Sequence, residues 1–258
     1  GSVKAQFVPW GMWQKSVPVV YQTWTNAYMS YRSVWHDYQS NGVDVATNSI
    51  AYDHNPNFPL DATNQPAGSE PVATVVGTNA LGVVDYGYTF DAVNDYQVMA
   101  DSLASGMLLR DTTISLWIKL VSAKTTSSYI VTDKSSGNSV WALGLTATNS
   151  GVFFLCKDGD DDVATAVSAS GVPTNEWVHI AGVRKDVTNV YIYTNGVLAG
   201  AASNSLLGSV NTKTAPAPLI GCFSTSGWFF NGTVDNLYLY DRAFSVTDIT
   251  NEVWNTDH

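Results

Sequence analysis

The sequence predicts an all-β fold, a two-sheet antiparallel β-sandwich with one short C-terminal helix. Three observations carry this. Short runs of alternating apolar and polar residues recur roughly every 8 to 20 residues, about a dozen in all. Asn195-Gly196 separates two such runs, and a two-residue hairpin needs φ > 0 at both central positions, which Asn and Gly adopt at least cost. No helical period lies between the strands, so parallel βαβ crossovers are excluded. This many strands in one unit favour a jelly roll over a seven-stranded sandwich.

Taken in order, Val3, Ala5 and Phe7 alternate and stop at Pro9, giving a first short strand. Residues 28–38 read as a strand closed by Asn41-Gly42, and residues 46–72, with Pro56, Pro59, Pro66 and Pro71, as a long loop. Strands follow at 73–76, 86–90 and 96–99, the last after a turn at Asn94-Asp95. Residues 113–120 alternate without a break: Ile114, Leu116, Ile118 and Leu120 on one side, Thr113, Ser115, Trp117 and Lys119 on the other. Further strands are expected at 129–132, 140–145, 152–157, 177–184, 190–194, 197–199, 219–223 and 233–240. In the last of these, alternation places Asp235 on one side with Leu237 and Leu239. A carboxylate half-buried among leucines is costly without a partner or a metal. Ser245 followed by Asp248 has capping-box spacing, so a helix should run from Val246 to about Val253.

Composition narrows the function. The chain of 258 residues is 45% hydrophobic and 13% charged, enough for a large core and too apolar for disorder. A net charge of −10 disfavours nucleic acid and anionic membranes as partners. No apolar run reaches the roughly 20 residues of a membrane helix, so no membrane insertion is expected. Cys156 and Cys222 are too few for a disulfide scaffold; one disulfide or two buried thiols are both open. Nine Trp, 13 Tyr and nine Phe supply core packing and rings able to stack on sugars.

The segments TFDAVNDYQVMADS, DTTISLWIKL, NEWVHIAGVRKDVTNVYIYTNGVLAG, PLIGCF and FNGTVDNLYLYDRAFSVTDI, in that order, resemble the laminin-G-like, concanavalin A-like jelly roll of secreted bacterial proteins. The resemblance spans roughly residues 28 to 254. Two departures stand out: Asn195 where the family often has Asp, and Ala92 where it often has Gly. The preceding TWTNAYMSYRSVWHDYQ resembles the junction after a conserved domain of unknown function. Residues 1–23 are therefore expected to be a tag dipeptide and the end of a preceding domain or an N-terminal extension, and residues 24–258 the jelly-roll domain. The resemblance implies a module of a larger protein that is secreted, at the cell surface or periplasmic, with flanking domains as partners.

The resemblance also implies a structural calcium, with Asp235 a ligand and further oxygens from the first strand and the loop after it. That stretch offers Asp37, Asp44, Asp53 and Asp61, of which Asp37 and Asp61 are the chosen candidates. The competing reading of Asp235 is a carboxylate that accepts backbone N–H bonds. Candidate ligand-binding residues are Trp228 in a Gly/Ser loop, Tyr129, and Asp160 and Asp161 in an acidic loop whose competing reading is a solvated turn rich in Asp for conformational reasons. Trp141 is a further candidate for the sugar-facing sheet, Trp10 and Trp13 flank a Gly near the start, and Trp117 and Trp177 fall in packing positions. Related endo-glucanases carry E-x-D-x-x-E on one strand, which this chain lacks; its only glutamates are Glu70, Glu176 and Glu252. No H-E-x-x-H, G-x-S-x-G or P-loop is present. The expectation is a non-catalytic, calcium-stabilised module that binds a glycan or cell-surface ligand. The alternative is a structural or protein-interaction domain of an envelope or adhesin assembly.

Overall fold

The computed structural model describes residues 33–36, 50–51, 62–65, 71–78, 84–99, 111–135, 138–158, 160–208, 218–225, 227–240 and 242–255. The strands in chain order begin with β1 (Ser33–His36), β2 (Ile50–Ala51), β3 (Ala62–Gln65), β4 (Val72–Thr78), β5 (Val84–Asp91) and β6 (Tyr96–Met99). There follow β7 (Thr112–Leu120), β8 (Ser128–Ser135), β9 (Asn138–Leu145), β10 (Val152–Lys157) and β11 (Val163–Val167). The set closes with β12 (Trp177–Lys185), β13 (Asn189–Thr194), β14 (Val197–Ser203), β15 (Leu219–Ile220), β16 (Asn231–Tyr240) and the helix α1 (Val246–Asn255). Among the described residues they form two eight-stranded sheets. The first runs β14-β13-β12-β7-β16-β5-β4, with β1 also on β16; the second runs β11-β10-β9-β8-β15-β6-β3-β2. This is the predicted sandwich. The expected strand at residues 3–7 lies outside the described residues.

Alternation in β7 does what the sequence says. Ile114, Leu116, Ile118 and Leu120 face the other sheet and pack with Val178 and Ile180 of β12, Val190 and Ile192 of β13, and Phe154 of β10. All are essentially inaccessible to water. Each such side chain contributes about 1.5–3 kcal/mol of burial free energy, so this layer is the main source of stability.

Strand β16 departs from the simple alternation. Asp235 pairs with Trp117, but Tyr238 pairs with Ser115, so β16 carries one residue more than β7 over this stretch. The extra residue is Asn236, whose φ is +48°. This bulge inverts the side-chain sense beyond it. Val234, Leu237 and Leu239 all face the inter-sheet core. Asp235 faces the outer side of the first sheet with Trp117, as Tyr238 and Tyr240 do further along. The expected grouping of Asp235 with Leu237 and Leu239 is thus corrected.

Helix α1 covers part of that outer face. Ile249 packs with Phe244, Tyr240, Tyr238 and Tyr193. Its N-terminus is the predicted capping box: Asp248 N–H donates to Ser245 Oγ (3.2 Å), and Ser245 N–H donates to Asp248 Oδ2 (2.9 Å). No helix among the described residues is long and apolar enough to cross a membrane.

Other expectations need adjustment. The proline-rich stretch 46–72 contains the short strands β2 and β3, which pair with each other and, through β3, with β6. Strand β11, VATAV, was not foreseen, because its small residues carry little apolar contrast, yet Ala164 and Ala166 face the core. Strand β15 ends at Ile220 rather than Phe223. Gly221 follows with φ +89°, and a Cβ there would strike the Phe90 ring. Trp141 is fully buried between the sheets and is no sugar platform. Both cysteines are buried thiols with no disulfide between them, Cys156 between the sheets and Cys222 beside Leu219 and Phe229. The Asn195-Gly196 turn forms as expected, with φ +48° and +80°.

Two positions carry strain or buried polarity with measurable consequences. Ala92 lies in the turn between β5 and β6, where Asp91 Oδ1 accepts the Val93 N–H (2.7 Å), and its φ is +68°. That conformation explains the Gly frequent there in the family. Ala92→Gly is expected to stabilise the domain by about 0.5–1 kcal/mol, the relief of a left-handed alanine less the added chain entropy, read as a raised urea midpoint. His179 is fully buried on the outer face of the first sheet; its Nε2 lies 2.8 Å from Ser115 Oγ, and its Nδ1 has no hydrogen-bond partner among the described residues. Burial lowers its pKa from 6.5 to about 3. The unfolded chain therefore takes up a proton that the folded one refuses. This contribution to stability is complete above about pH 6.5 and is lost as pH falls toward 3, at about 1.4 kcal/mol per pH unit. Urea titrations between pH 7 and pH 4 should show this slope, and His179→Gln should flatten it by about one proton.

Candidate functional site

Three connections cross between the sheets side by side at one end of the sandwich. They join β5 to β6, β7 to β8 and β15 to β16, and in each sheet the strands they join are neighbours. The middle connection, Gly221 to Phe230, is held by backbone bonds. Gly221 N–H donates to Ile130 O (2.8 Å), Phe230 N–H to Gly221 O (2.8 Å) and Tyr129 N–H to Trp228 O (3.1 Å). Phe230 and Phe229 anchor it on opposite sides, Phe230 into the inter-sheet core and Phe229 onto the outer face of the second sheet.

This anchoring brings two sequence-predicted residues together. Tyr129 packs on Phe223 with ring centroids 4.6 Å apart and planes tilted by 45°, and Phe223 meets Trp228 edge to face at 5.3 Å. On its other side Tyr129 meets Phe153 at 5.2 Å. Four rings thus run from the loop across the outer face of the second sheet. Trp228 is 48% exposed, whereas Phe153 is buried over Gly144. The Tyr129 phenol has its pKa raised by burial and stays a neutral hydroxyl donor and acceptor. Phe223 and Phe153 were not singled out from the sequence. The signal for Phe223 was Gly221, which ends the strand and releases the next residues into the loop.

The backbone at Trp228 is unusual. Its φ is +58°, a left-handed conformation that a bulky side chain adopts only at a cost of about 1–3 kcal/mol. The Ser224–Gly227 turn beside it is closed by Gly227 N–H to Ser224 O (3.1 Å), and a Cβ on Gly227 would meet nothing within 4 Å. The indole therefore stands at an open rim.

Asp160 and Asp161 are not part of this cluster. They lie in the β10–β11 turn, at the far end of the second sheet, because Tyr129 shares a cross-strand row with Gly144, Phe153 and Val167, whereas Lys157 pairs with Val163 next to the turn. The turn is built around Asp158. Its Oδ1 accepts the N–H groups of Asp160 (2.9 Å) and Asp162 (3.0 Å), and its Oδ2 accepts the N–H of Gly208 (2.7 Å). Gly208 O in turn accepts from Arg184 Nη2 (2.6 Å). Asp161 has φ +73° and pairs with Lys157 at 3.0 Å. The acidic loop is thus a hydrogen-bonded turn whose exposed carboxylates face solvent.

Asp235 is fully buried at the bulge. Its Oδ1 accepts the Asn236 N–H (2.7 Å). Strand β1 ends at His36 opposite Leu237, two positions away. Asp37 and Asp61 lie outside the described residues, and among the described residues no three acidic, His or Cys side chains gather into a metal cluster. The described part of the site supplies one carboxylate with the hard oxygen chemistry calcium takes, and that carboxylate already closes the bulge. Ser115 and His179 form a hydroxyl–imidazole contact on the same outer face, and both are wholly buried.

The chain matches the profile of the Concanavalin A-like lectin/glucanases superfamily over residues 91–250, more than half its length. No curated protein matches it in sequence. Among solved structures it is similar to the Trypanosoma rangeli sialidase in complex with the inhibitor DANA, at 15% identity and a TM-score of 0.58, over 85% of this chain and 32% of that one. It is similar to domain 4 of AbnA, an extracellular GH43 arabinanase from Geobacillus stearothermophilus in complex with arabinotriose, at 17% identity and a TM-score of 0.57, over 85% of this chain and 98% of that domain. It is also similar to the binding domain of botulinum neurotoxin serotype C1, at 13% identity and a TM-score of 0.63, over 90% of this chain and 54% of that one. The chain thus spans about a third of the sialidase and about half of the toxin domain, and at these identities the likeness is one of fold. With its two antiparallel sheets and this profile match, the chain belongs to the Concanavalin A-like lectin/glucanases superfamily.

Proposed function

We propose that this domain is a non-catalytic carbohydrate-binding module of a larger extracellular protein, and that Trp228, backed by Phe223 and Tyr129, is its sugar-stacking platform. One observation carries the reading: a half-exposed tryptophan held in a strained backbone on a rigidly anchored loop. Strain of this kind persists where the surroundings enforce it, and it concentrates at ligand clamps. An aromatic face matches the apolar face of a pyranose or furanose ring, and a platform ordered in advance avoids the entropy of ordering it on binding. The neighbours support the ligand class, since the arabinanase domain was solved with arabinotriose and the sialidase with sialic acid. A net charge of −10 favours neutral glycans over polyanionic ones. The buried Ser115–His179 pair and the lack of paired glutamates support a binding rather than a hydrolytic role.

Calcium belongs to the same proposal as a stabiliser, with Asp235 its ligand from β16 and Asp37 and Asp61 two further ligands. Its role is to hold the closing strand to the start of the domain.

Trp228→Gly is expected to weaken binding to neutral polysaccharides about tenfold or more while leaving the melting temperature unchanged or higher, since glycine relieves the strained φ. Affinity electrophoresis against arabinan, xylan and β-glucan, beside thermal melts, reads both effects. If the wild-type domain is retarded by no polysaccharide, or if the variant is retarded equally, the platform assignment fails. For calcium, the melting temperature of the wild type should rise by several degrees on addition of millimolar calcium and return in EDTA. Asp235→Asn should melt lower and ignore calcium. A wild-type melting temperature indifferent to calcium removes the metal from the proposal.

A further inference from the structure

The surface beside the ring cluster is a trough. Trp228 O accepts the Tyr129 N–H, so the loop takes the place of a further strand beside β8. From there one cross-strand row runs through Tyr129 of β8, Gly144 of β9, Phe153 of β10 and Val167 of β11, on the outer face of the second sheet. Exposure dips along this row. Trp228 is 48% exposed, Phe223 and Tyr129 are half-buried, Phe153 is 6% exposed, and Val167 rises again to 45%. Gly144 makes the low point, because a Cβ there would strike the Phe153 ring and the Ser128 carbonyl. With strands about 4.8 Å apart, the row from Trp228 to Val167 is about 19 Å long.

The borders of the trough are polar and neutral. On the rim side the β9–β10 turn presents Thr148 and Ser150, both exposed. Thr148 holds φ +58°, an outlier for a β-branched residue. Asn149 locks the turn, accepting the Val172 N–H (3.1 Å) and donating to Val172 O (2.6 Å). Left-handed strain thus occurs in the wall of the trough as well as at Trp228. On the other side lie Leu155 and Thr165, both half-buried. The segments that build the trough, 125–132, 135–156, 163–175 and 214–234, hold no Asp, Glu, Lys or Arg. Lys124 and Lys157 flank them. Lys124 sends its ammonium to Ala92 O (2.8 Å), on the opposite side of β8 from β9. Lys157 pairs with Asp161 and sits four residues along β10 from Phe153, about 13 Å away. The Tyr129 hydroxyl makes no hydrogen bond among the described residues. We infer that the site at Trp228 extends along this trough to Val167 and holds a run of several sugar rings from within a linear, uncharged glycan. The inference rests on the glycan reading above and adds the length and course of the site. Trp228 stacks on one ring, the Tyr129 hydroxyl bonds the next, and Thr148 and Ser150 offer hydroxyls along the flank. Phe153 and Val167 supply the apolar floor and its far edge. A sugar ring has this same division, hydroxyls around an apolar face. A charged ligand finds no counter-charge here, and a lipid chain would cover these hydroxyls without bonding them.

The test is calorimetric titration of the whole chain with arabino-, xylo- and cello-oligosaccharides, each from disaccharide to hexasaccharide. In at least one series the affinity should climb about tenfold with length before it levels off. Tyr129→Phe should weaken the longest oligosaccharide about threefold or more with an unchanged melting curve. Val167→Ala should weaken the longest about twofold and leave the shortest unchanged, a split that a general loss of stability would not produce. If polysaccharide is retarded through Trp228 but affinity is flat with length, or is indifferent to both substitutions, the extended site is overturned and the glycan reading stands. Tighter binding of polygalacturonate than of any neutral chain likewise overturns it. Retardation by no polysaccharide removes both.

Discussion

Strand β16 must pair along both edges at once, and the geometry of the first sheet depends on how it does so. On one edge β7 accompanies it for nearly its whole length. On the other, β5 pairs with Asn231 to Val234 and β1 with Leu237 to Tyr240. The change of partner falls at Asn236, where the extra residue sits. A bulge bends and twists a strand, so the two partners reach the same edge from different directions. Asn suits the position because its short polar side chain tolerates left-handed φ, and the Asp235 carboxylate satisfies the backbone N–H that the bulge exposes. A buried carboxylate that appears misplaced by pattern is in place once this constraint is recognised.

The same constraint explains which parts of the fold were legible. Period-2 alternation predicted both faces of β7, because β7 lies between two regular ladders and one of its faces meets a deep core. In β16 alternation held on either side of the bulge but could not be carried across it. Nothing in TVDNLYLY marks Asn236 as an extra residue, since Asn is ordinary at the end of a strand and rare only by its φ. Strand β11 escaped notice for a different reason: its core-facing residues are Ala164 and Ala166, so its core face carries almost no apolar signal. Proline-rich β2 and β3 read as loop because two to four residues of pairing leave no period to detect.

The candidate site was legible in its parts and not in its assembly. Trp228 stood out by its Gly/Ser setting and Tyr129 by its place on a strand, but their approach depends on Phe223 between them and on where β15 stops. The acidic loop looked equally suggestive in sequence. There the structure shows Asp158 at the centre, its two oxygens taking three backbone N–H groups and shaping the turn, while Asp160 and Asp161 stay exposed at its surface. Asp-rich turns satisfy their own backbone, whereas aromatic residues in Gly-rich loops need a reason to stay exposed.

That difference bears on how the domain divides its labour. The inter-sheet core is continuous and apolar, so it tolerates local strain at its margins without loss of fold. Strain is found at one such margin, in the Trp228 backbone, where three backbone hydrogen bonds and two buried phenylalanines hold the loop. Buried polarity is placed instead on the outer face of the first sheet, in the row formed by His179, Trp117 and Asp235, away from any exposed ring. The buried His179 makes that face sensitive to pH, whereas the aromatic cluster at the rim has no group that titrates near neutrality. The aromatic rim is therefore insulated from the conditions that weaken the fold, until the fold itself is lost.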